Sequence, residues 1–314
     1  MFVEELKRFA DAVSDPRCVA ISERLATPLR VAVTGRRGVG RSTVAHALAC
    51  SGLAVTAPAD ADVNVHVLAD AVKPEDRAAI DACGRPVLAV LNKADLIATT
   101  APGRHPDGPT SAARARCAQL SARAGDPIEP LVGLLAVAAL DDASWRGLRA
   151  LAGGHYVDAA ARGQLMDTLD AFGIRQATAA IRRGATRCDV DALLRGLSGI
   201  DAVVDKIGRL GARSRYQRML DAIAELETMA VTDRRISEFL AHDDAVVARM
   251  MAAVDVVEAD GTTVDRGDTA AAHLGRAVHW QRYRRGPVTG PHRGCSADIV
   301  RGSLRLWSNV GGSV

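Results

Sequence analysis

Nine consecutive residues, Gly35-Arg36-Arg37-Gly38-Val39-Gly40-Arg41-Ser42-Thr43, are of the right types and spacing to bind an anion. Glycines let backbone N–H groups turn inward around a phosphate, and a helix beginning at the end of the run adds its partial positive charge. Gly35, Gly40 and Ser42 fit the spacing G-x-x-x-x-G-K-[ST], except that Arg41 holds the lysine position. In that pattern Ser42 offers a hydroxyl to Mg²⁺ and Thr43 a contact to an α-phosphate. The competing reading is a Gly-rich strand-to-helix turn that holds no ligand.

A second run, Asn92-Lys93-Ala94-Asp95, stands at the end of an apolar stretch. A carboxylate at Asp95 can accept two N–H bonds from the N1 and 2-amino edge of guanine, an edge that adenine lacks. A wrong base then leaves buried groups unpaired, which supplies specificity. Asn92 can bond the base and tie neighbouring loops together, while the Lys93 stem packs along the base plane. Alone, the tetrapeptide also reads as a polar strand-to-helix loop. Together with the glycine run it describes a nucleotide site.

Both runs need strands to carry them. Leu29–Thr34 is a short apolar run before the glycines, and Ser42–Cys50 reads as the helix after them. Further strands are expected at Leu53–Thr56, Val63–Leu68, Pro86–Leu91 and Ile128–Leu134. Helices are expected at Pro74–Ala82, 111–123 and Asp141–Leu151, with a loop over 100–110. Apolar runs alternating with helices indicate a parallel α/β sheet, whose ligands bind at the C-terminal strand ends.

Around this core, residues 1–27 read as two helices (3–14 and 17–25), the first ended by Asp15-Pro16. After Gly153-Gly154 the strand signal stops. Val190, Leu194, Leu197, Val204 and Ile207 keep one helical stripe, and Tyr216, Met219, Ile223 and Leu226 another. Residues 153–258 are therefore expected to form a helical bundle, with Thr232 and Asp243 as N-caps. Residues 259–314, rich in Gly, Arg and Pro, are expected to be an irregular basic tail with one short helix near 297–307.

Composition narrows the function classes. The 314 residues are 48% hydrophobic and 25% charged, so a real core is expected and wholesale disorder is not. Aromatics at 3% argue against base stacking as the main chemistry, and a net charge of +3 does not describe a dedicated nucleic-acid binder. The six cysteines are scattered without a Cys-x-x-Cys, which predicts reduced thiols in a cytoplasmic setting. No window predicts a membrane span. Lysine occurs only at Lys7, Lys73, Lys93 and Lys206, against 36 arginines. That bias makes Arg41 an easy replacement for lysine, and it makes a lysine retained at position 93 informative.

GRRGVGRST followed by VLNKADL resembles the GTPase domain of the translation-factor type, closest to the Era-like and bacterial dynamin-like groups. ADADVNVHVLADAVKPEDRAAIDACGRPVLAVLNKADLI resembles their strand, helix, strand and guanine-motif run. PIEPLVGLLAVAALDD resembles their final strand and base-side loop, with Val132-Gly133-Leu134 where Ser-Ala-Lys/Leu is usual. The likeness covers roughly 28–152. It implies a truncated P-loop GTPase-type parallel sheet with flanking helices, followed by an α-helical bundle. It also implies GTP or GDP with Mg²⁺ as ligands, with phosphate contacts from 35–43 and Mg²⁺ on Ser42. The base contacts it implies come from Asn92, Lys93, Asp95 and Gly133. Dynamin-like proteins act in pairs, so a homo-oligomer or a heterodimer with another GTPase is implied, with a membrane surface as a possible setting.

Three departures matter. Arg41 replaces the phosphate-binding lysine, keeping its charge on a wider planar fork. Thr56 and Ala59 stand where the Asp and Gly of an Asp-x-x-Gly motif belong, with Asp60 and Asp62 nearby as loop acids. The stretch 44–55 is filled by a helix and a strand and leaves no room for a switch loop. Phosphoryl transfer is catalysed by a metal, an oriented water and a charge stabiliser. The expectation is a protein that holds a guanine nucleotide and cleaves it weakly or not at all, with Arg41, Arg36 or Arg37 as the candidate stabilisers. Elsewhere, His66 is read as a satisfied sheet histidine and the methionines as core. Trp280, Arg282, Tyr283, Arg284, Arg285 and Arg293 form a basic-aromatic patch that could touch lipid or RNA.

Overall fold

The protein is described by a computed structural model over residues 2–97 and 109–311, so the loop expected at 100–110 falls largely outside the described residues. Five parallel strands form one sheet: β1 (Arg30–Gly35), β2 (Ala54–Val55), β3 (Val63–Leu68), β4 (Val87–Asn92) and β5 (Ile128–Leu131). Their order is β2-β1-β3-β4-β5. Val31 pairs with Val63 and Val33 with Val65 on one side of β3, and Val65 pairs with Leu88 on the other. All six residues of β3 are buried, as a central strand covered on both faces requires.

Two strands are shorter than the apolar runs suggest. Only Ala54 and Val55 of the expected Leu53–Thr56 pair with β1, opposite Arg30 and Val31. β5 ends at Leu131 because the chain turns at Val132 and makes one helical turn, Gly133–Ala136. Helices Arg41–Cys50, Pro74–Asp81, Pro109–Ala124 and Asp142–Ala152 fall within a residue or two of the expected ranges.

By density of contacts the chain divides into two compact units, Pro28–Gly208 and the joined segments Met1–Thr27 and Arg209–Val314. Of the expected breaks, the one at 27 coincides with a division between these units, and those at 152 and 258 fall inside them. Helices Ala159–Arg182, Arg187–Ser198 and Ile200–Leu210 begin in the sheet's unit, because Leu165, Leu169, Phe172, Val190 and Leu194 pack with Leu135 and Leu148 in one hydrophobic cluster. A second cluster, Leu68, Ile80, Leu91, Cys117, Leu120 and Ile128, packs strands against helices Pro74–Asp81 and Pro109–Ala124.

The other unit is helical throughout its described elements. Its core joins Phe2, Leu6 and Ile21 to Tyr216, Leu226, Ile236 and Val257, and to Trp280 and Ile299. Residues 259–314, expected as an irregular tail, contain two helices, Ala270–Tyr283 and Gly290–Asn309. The reason is local. Thr269 and Thr289 cap the two helices through their hydroxyls, and Pro291 sits in the first turn of the second, where it has no N–H to waste. The N-caps expected at Thr232 and Asp243 each shift by one residue, to Asp233 and His242.

Candidate functional site

The strand order fixes where a site can lie. The chain leaves β1 to one side for β2, then crosses back past β1 to β3, β4 and β5. Such a reversal opens a crevice at the C-terminal ends of the strands flanking it. The glycine run follows β1, Asn92-Lys93-Ala94-Asp95 follows β4, and Val132-Gly133 follows β5. All of the expected binding residues are thus delivered to one edge of the sheet.

Gly35, Gly38 and Gly40 all have positive φ, and helix Arg41–Cys50 starts directly after Gly40. Gly40 (φ 90°, ψ 32°) is the residue before the first helical turn, and a Cβ there would sit 2.4 Å from the Asn92 side-chain nitrogen. The position therefore demands glycine for its backbone and for its neighbour. Val39 is buried beneath the loop, whereas Arg37, Gly38, Arg41 and Ser42 are exposed.

Asn92 is the joint of the site. It is 3% exposed, its Nδ2 donates to Val39 O at 2.9 Å, and its Oδ1 accepts from Gly133 N at 3.0 Å. One buried side chain thereby fixes the glycine loop, β4 and the loop after β5 to each other. Lys93 follows with φ 58° and reaches across the loop, its Nζ 3.5 Å from Gly38 O.

Gly40, Thr43, Asn92, Lys93, Asp95, Val132 and Gly133 line a cavity of about 250 Å³, with Leu96, Leu134 and Asp170 completing it. Asp95 is half-buried on its wall. Burial raises its carboxyl above the usual range, the charge of Asp170 adds to the rise, and Lys93 partly opposes it. A carboxylate held so, without an ionic partner at bonding distance among the described residues, is suited to a ligand that brings N–H donors.

At the glycine-loop end the structure reassigns Arg36. Its Nε donates to both Asp76 oxygens, at 3.0 and 3.1 Å. Asp76 also accepts from Lys73 N at 3.0 Å, capping helix Pro74–Asp81, and lies 3.1 Å from His66 Nε2. The other His66 nitrogen meets Thr34 Oγ1 at 3.1 Å. Burial pushes the Asp76 carboxyl up, but the bonds from Lys73, His66 and Arg36 outweigh it and hold the carboxyl below the usual range. Arg36 is thus tied to helix Pro74–Asp81 rather than turned outward, which leaves Arg37 exposed in the loop and Arg41 exposed at the helix start. Asp76 went unnoticed in the sequence, although Pro74 followed two residues later by an acid is a helix-start signature.

The strand-to-strand region expected to lack a switch is short and held. Helix Arg41–Cys50 runs into a turn at Ser51-Gly52 and then β2. Beyond it Thr56 N donates to Val31 O at 3.0 Å, Pro58–Asp60 form a tight turn, and the Arg85 guanidinium donates to the carbonyls of Ala59 and Ala61. Asp62, expected as a solvated loop acid, is buried and accepts from Arg30 N at 2.9 Å. Its carboxylate is spent on the sheet.

These groups can seat an anion on the loop and a hydrogen-bonding heterocycle against Asp95. The fit for a metal is thin. Ser42 offers one exposed hydroxyl, and no group of three His, Cys, Asp or Glu side chains converges as a metal site among the described residues. Of the basic-aromatic patch, Trp280 is 1% exposed in the core, and Tyr283 packs on it and bonds His292 at 2.9 Å. The patch therefore presents arginines without its tryptophan. Compared with known protein families, with curated proteins and with solved structures, the chain finds no match in any of the three.

Proposed function

We propose that this protein binds a guanine nucleotide in the manner of a degenerate P-loop GTPase and hydrolyses it poorly or not at all. The observation that carries the reading is the Asn92 joint. It ties the glycine loop to the strand end that carries Lys93 and Asp95, and residues of both line one cleft. In this reading the backbone of 35–43 and the helix N-terminus hold the phosphates, Lys93 flanks the base, Gly133 N stays committed to Asn92, and Asp95 reads the base edge. Mg²⁺, if carried in, would meet Ser42 and otherwise phosphate oxygens and water. The groups that orient water and sense a γ-phosphate have no counterpart at Thr56 and Ala59, and Arg85 holds that segment closed.

A protein that holds the nucleotide without a switch serves best as a regulatory or scaffolding partner, in a homo-oligomer or with an intact dynamin-like GTPase. Titration of the full chain with fluorescent GDP and ATP analogues tests the nucleotide reading. Saturable, guanine-selective binding lost in Asp95→Ala supports it, and failure to bind either nucleotide overturns it. One observation favours a second reading, a slow GTPase. Arg41 is exposed at the helix start and makes no ion pair among the described residues, so its charge is available. Phosphate release above background, abolished in Arg41→Ala, would select that reading.

A further inference from the structure

The cavity that holds Asp95 has a second carboxylate, Asp170, on its wall. Asp170 lies in the middle of helix Ala159–Arg182 but has φ 59° and ψ 173°, a conformation that breaks the helix at this one residue. Its neighbours are pinned, with Leu169 and Phe172 both in the hydrophobic cluster beneath. The break turns the residue out of the helical repeat at the point where the helix passes the cavity. Oδ1 accepts from Ala171 N at 2.5 Å, and Oδ2 has no hydrogen-bond partner among the described residues. The charge is close enough to Asp95 to oppose its ionisation.

The lining is therefore unbalanced: two carboxylates face one lysine, with Asn92 already spent on the two loops. A ligand that fits must bring several N–H donors on one edge. Guanine brings three, one on N1 and two on the 2-amino group. A single carboxylate bonding in parallel uses the N1–H and one of the amino hydrogens, and the remaining amino hydrogen points past it. Resting on the reading of Asp95 as the base-reading group, we propose that Asp170 accepts this third hydrogen, so that the pocket selects purines by their 2-amino group. Hypoxanthine, which keeps N1–H and lacks the amine, would satisfy Asp95 in part and leave Asp170 facing nothing. Xanthine, with an oxygen in place of the amine, would be repelled by both.

The test is a titration of the full chain with GDP and IDP, in the unaltered protein and in Asp170→Gly, Asp170→Asn and Asp95→Ala. Glycine removes the carboxylate and adopts the broken backbone more readily than aspartate, so the variant keeps its fold. A hydrogen bond to a charged acceptor predicts that GDP binds about tenfold or more tightly than IDP. Asp170→Gly should remove part of that advantage by weakening GDP alone, since Asp95 still holds one amino hydrogen, while Asp170→Asn, which keeps one acceptor oxygen, should lose less of it. Asp95→Ala should weaken both ligands, since both carry N1–H. Guanine binding that depends on Asp95 with a GDP-to-IDP ratio unchanged in Asp170→Gly overturns the role of Asp170 and leaves the nucleotide reading standing. Binding of neither ligand overturns both.

Discussion

Arg36 and Asp76 are locked together beside the glycine loop, the guanidinium Nε 3.0 and 3.1 Å from the two oxygens of a fully buried carboxylate. The pair ties the loop after β1 to the helix after β3, with His66 of β3 on the same carboxylate. An arginine in a glycine loop invites a catalytic reading, and here its charge is answered from within the protein.

Removing that carboxylate should be costly. Asp76→Asn leaves Arg36 and His66 with a weaker acceptor and should lower stability by about 2–3 kcal/mol at pH 7, read as a fall in the urea midpoint. The sign with pH follows from its lowered value. A carboxyl held below 3.8 in the folded state contributes stability above about pH 4 and loses it as pH falls through the folded value. The acid limb of the stability curve should therefore be shallower in Asp76→Asn, and an unchanged limb would deny Asp76 this role.

Two glycines of one loop should respond differently. At Gly40 an added Cβ meets Asn92 Nδ2 at 2.4 Å, so Gly40→Ala strains the backbone and also displaces the joint of the site. A loss of about 2–4 kcal/mol in stability is expected, with loss of nucleotide binding. Gly38 has φ 84° but open space around it, so Gly38→Ala should cost about 1 kcal/mol in backbone strain alone. Equal losses in denaturant midpoint would contradict the Asn92 contact.

Much of the sheet was legible because its strands are short apolar runs ended by chemistry-bearing residues. LRVAVT, VNVHVL and VLAVLN each became a strand, and each delivers its loop to the same edge. Asn92 was legible as a tie between loops because its position follows from the strand it ends. Asp170 was not, since an aspartate inside a helical stripe reads as solvent-facing and nothing local signals a positive φ. The last 56 residues misled for a different reason: their Gly, Arg and Pro read as irregular, whereas Thr289 and Pro291 are a helix start. Tertiary burial of Trp280 and Ile299 then decides the matter.

That burial has a measurable weight. Trp280→Ala removes a core side chain 1% exposed and in ring contact with Tyr283 and should cost about 3–5 kcal/mol. Arg285→Ala, at an exposed position after the same helix, should change stability by less than about 0.5 kcal/mol. Thermal unfolding of the two variants compares a docked helix with a solvated tail, and a small loss in Trp280→Ala would favour the tail.

Asp95 should trade stability for binding. Burial, then the Asp170 charge, raise its carboxyl in the folded state, so the ionised form at neutral pH works against folding. A raised group contributes its full stability below its unfolded value, near 3.8, and that contribution is lost as pH rises through the folded value. Asp95→Asn, neutral at every pH, should thus raise the melting temperature at pH 7 by on the order of 1–2 °C, and the gain should vanish toward pH 4. The same change alters the base edge that the site accepts. An amide presents one donor and one acceptor, matching the oxygen and N1–H of xanthine rather than the paired donors of guanine. In the Asp170→Gly background, where the second carboxylate no longer repels that oxygen, preference should pass from GDP to XDP by about tenfold or more, read by competition against a fluorescent nucleotide. A variant that gains stability and loses GDP without gaining XDP would place Asp95 in the pocket wall but away from the base edge.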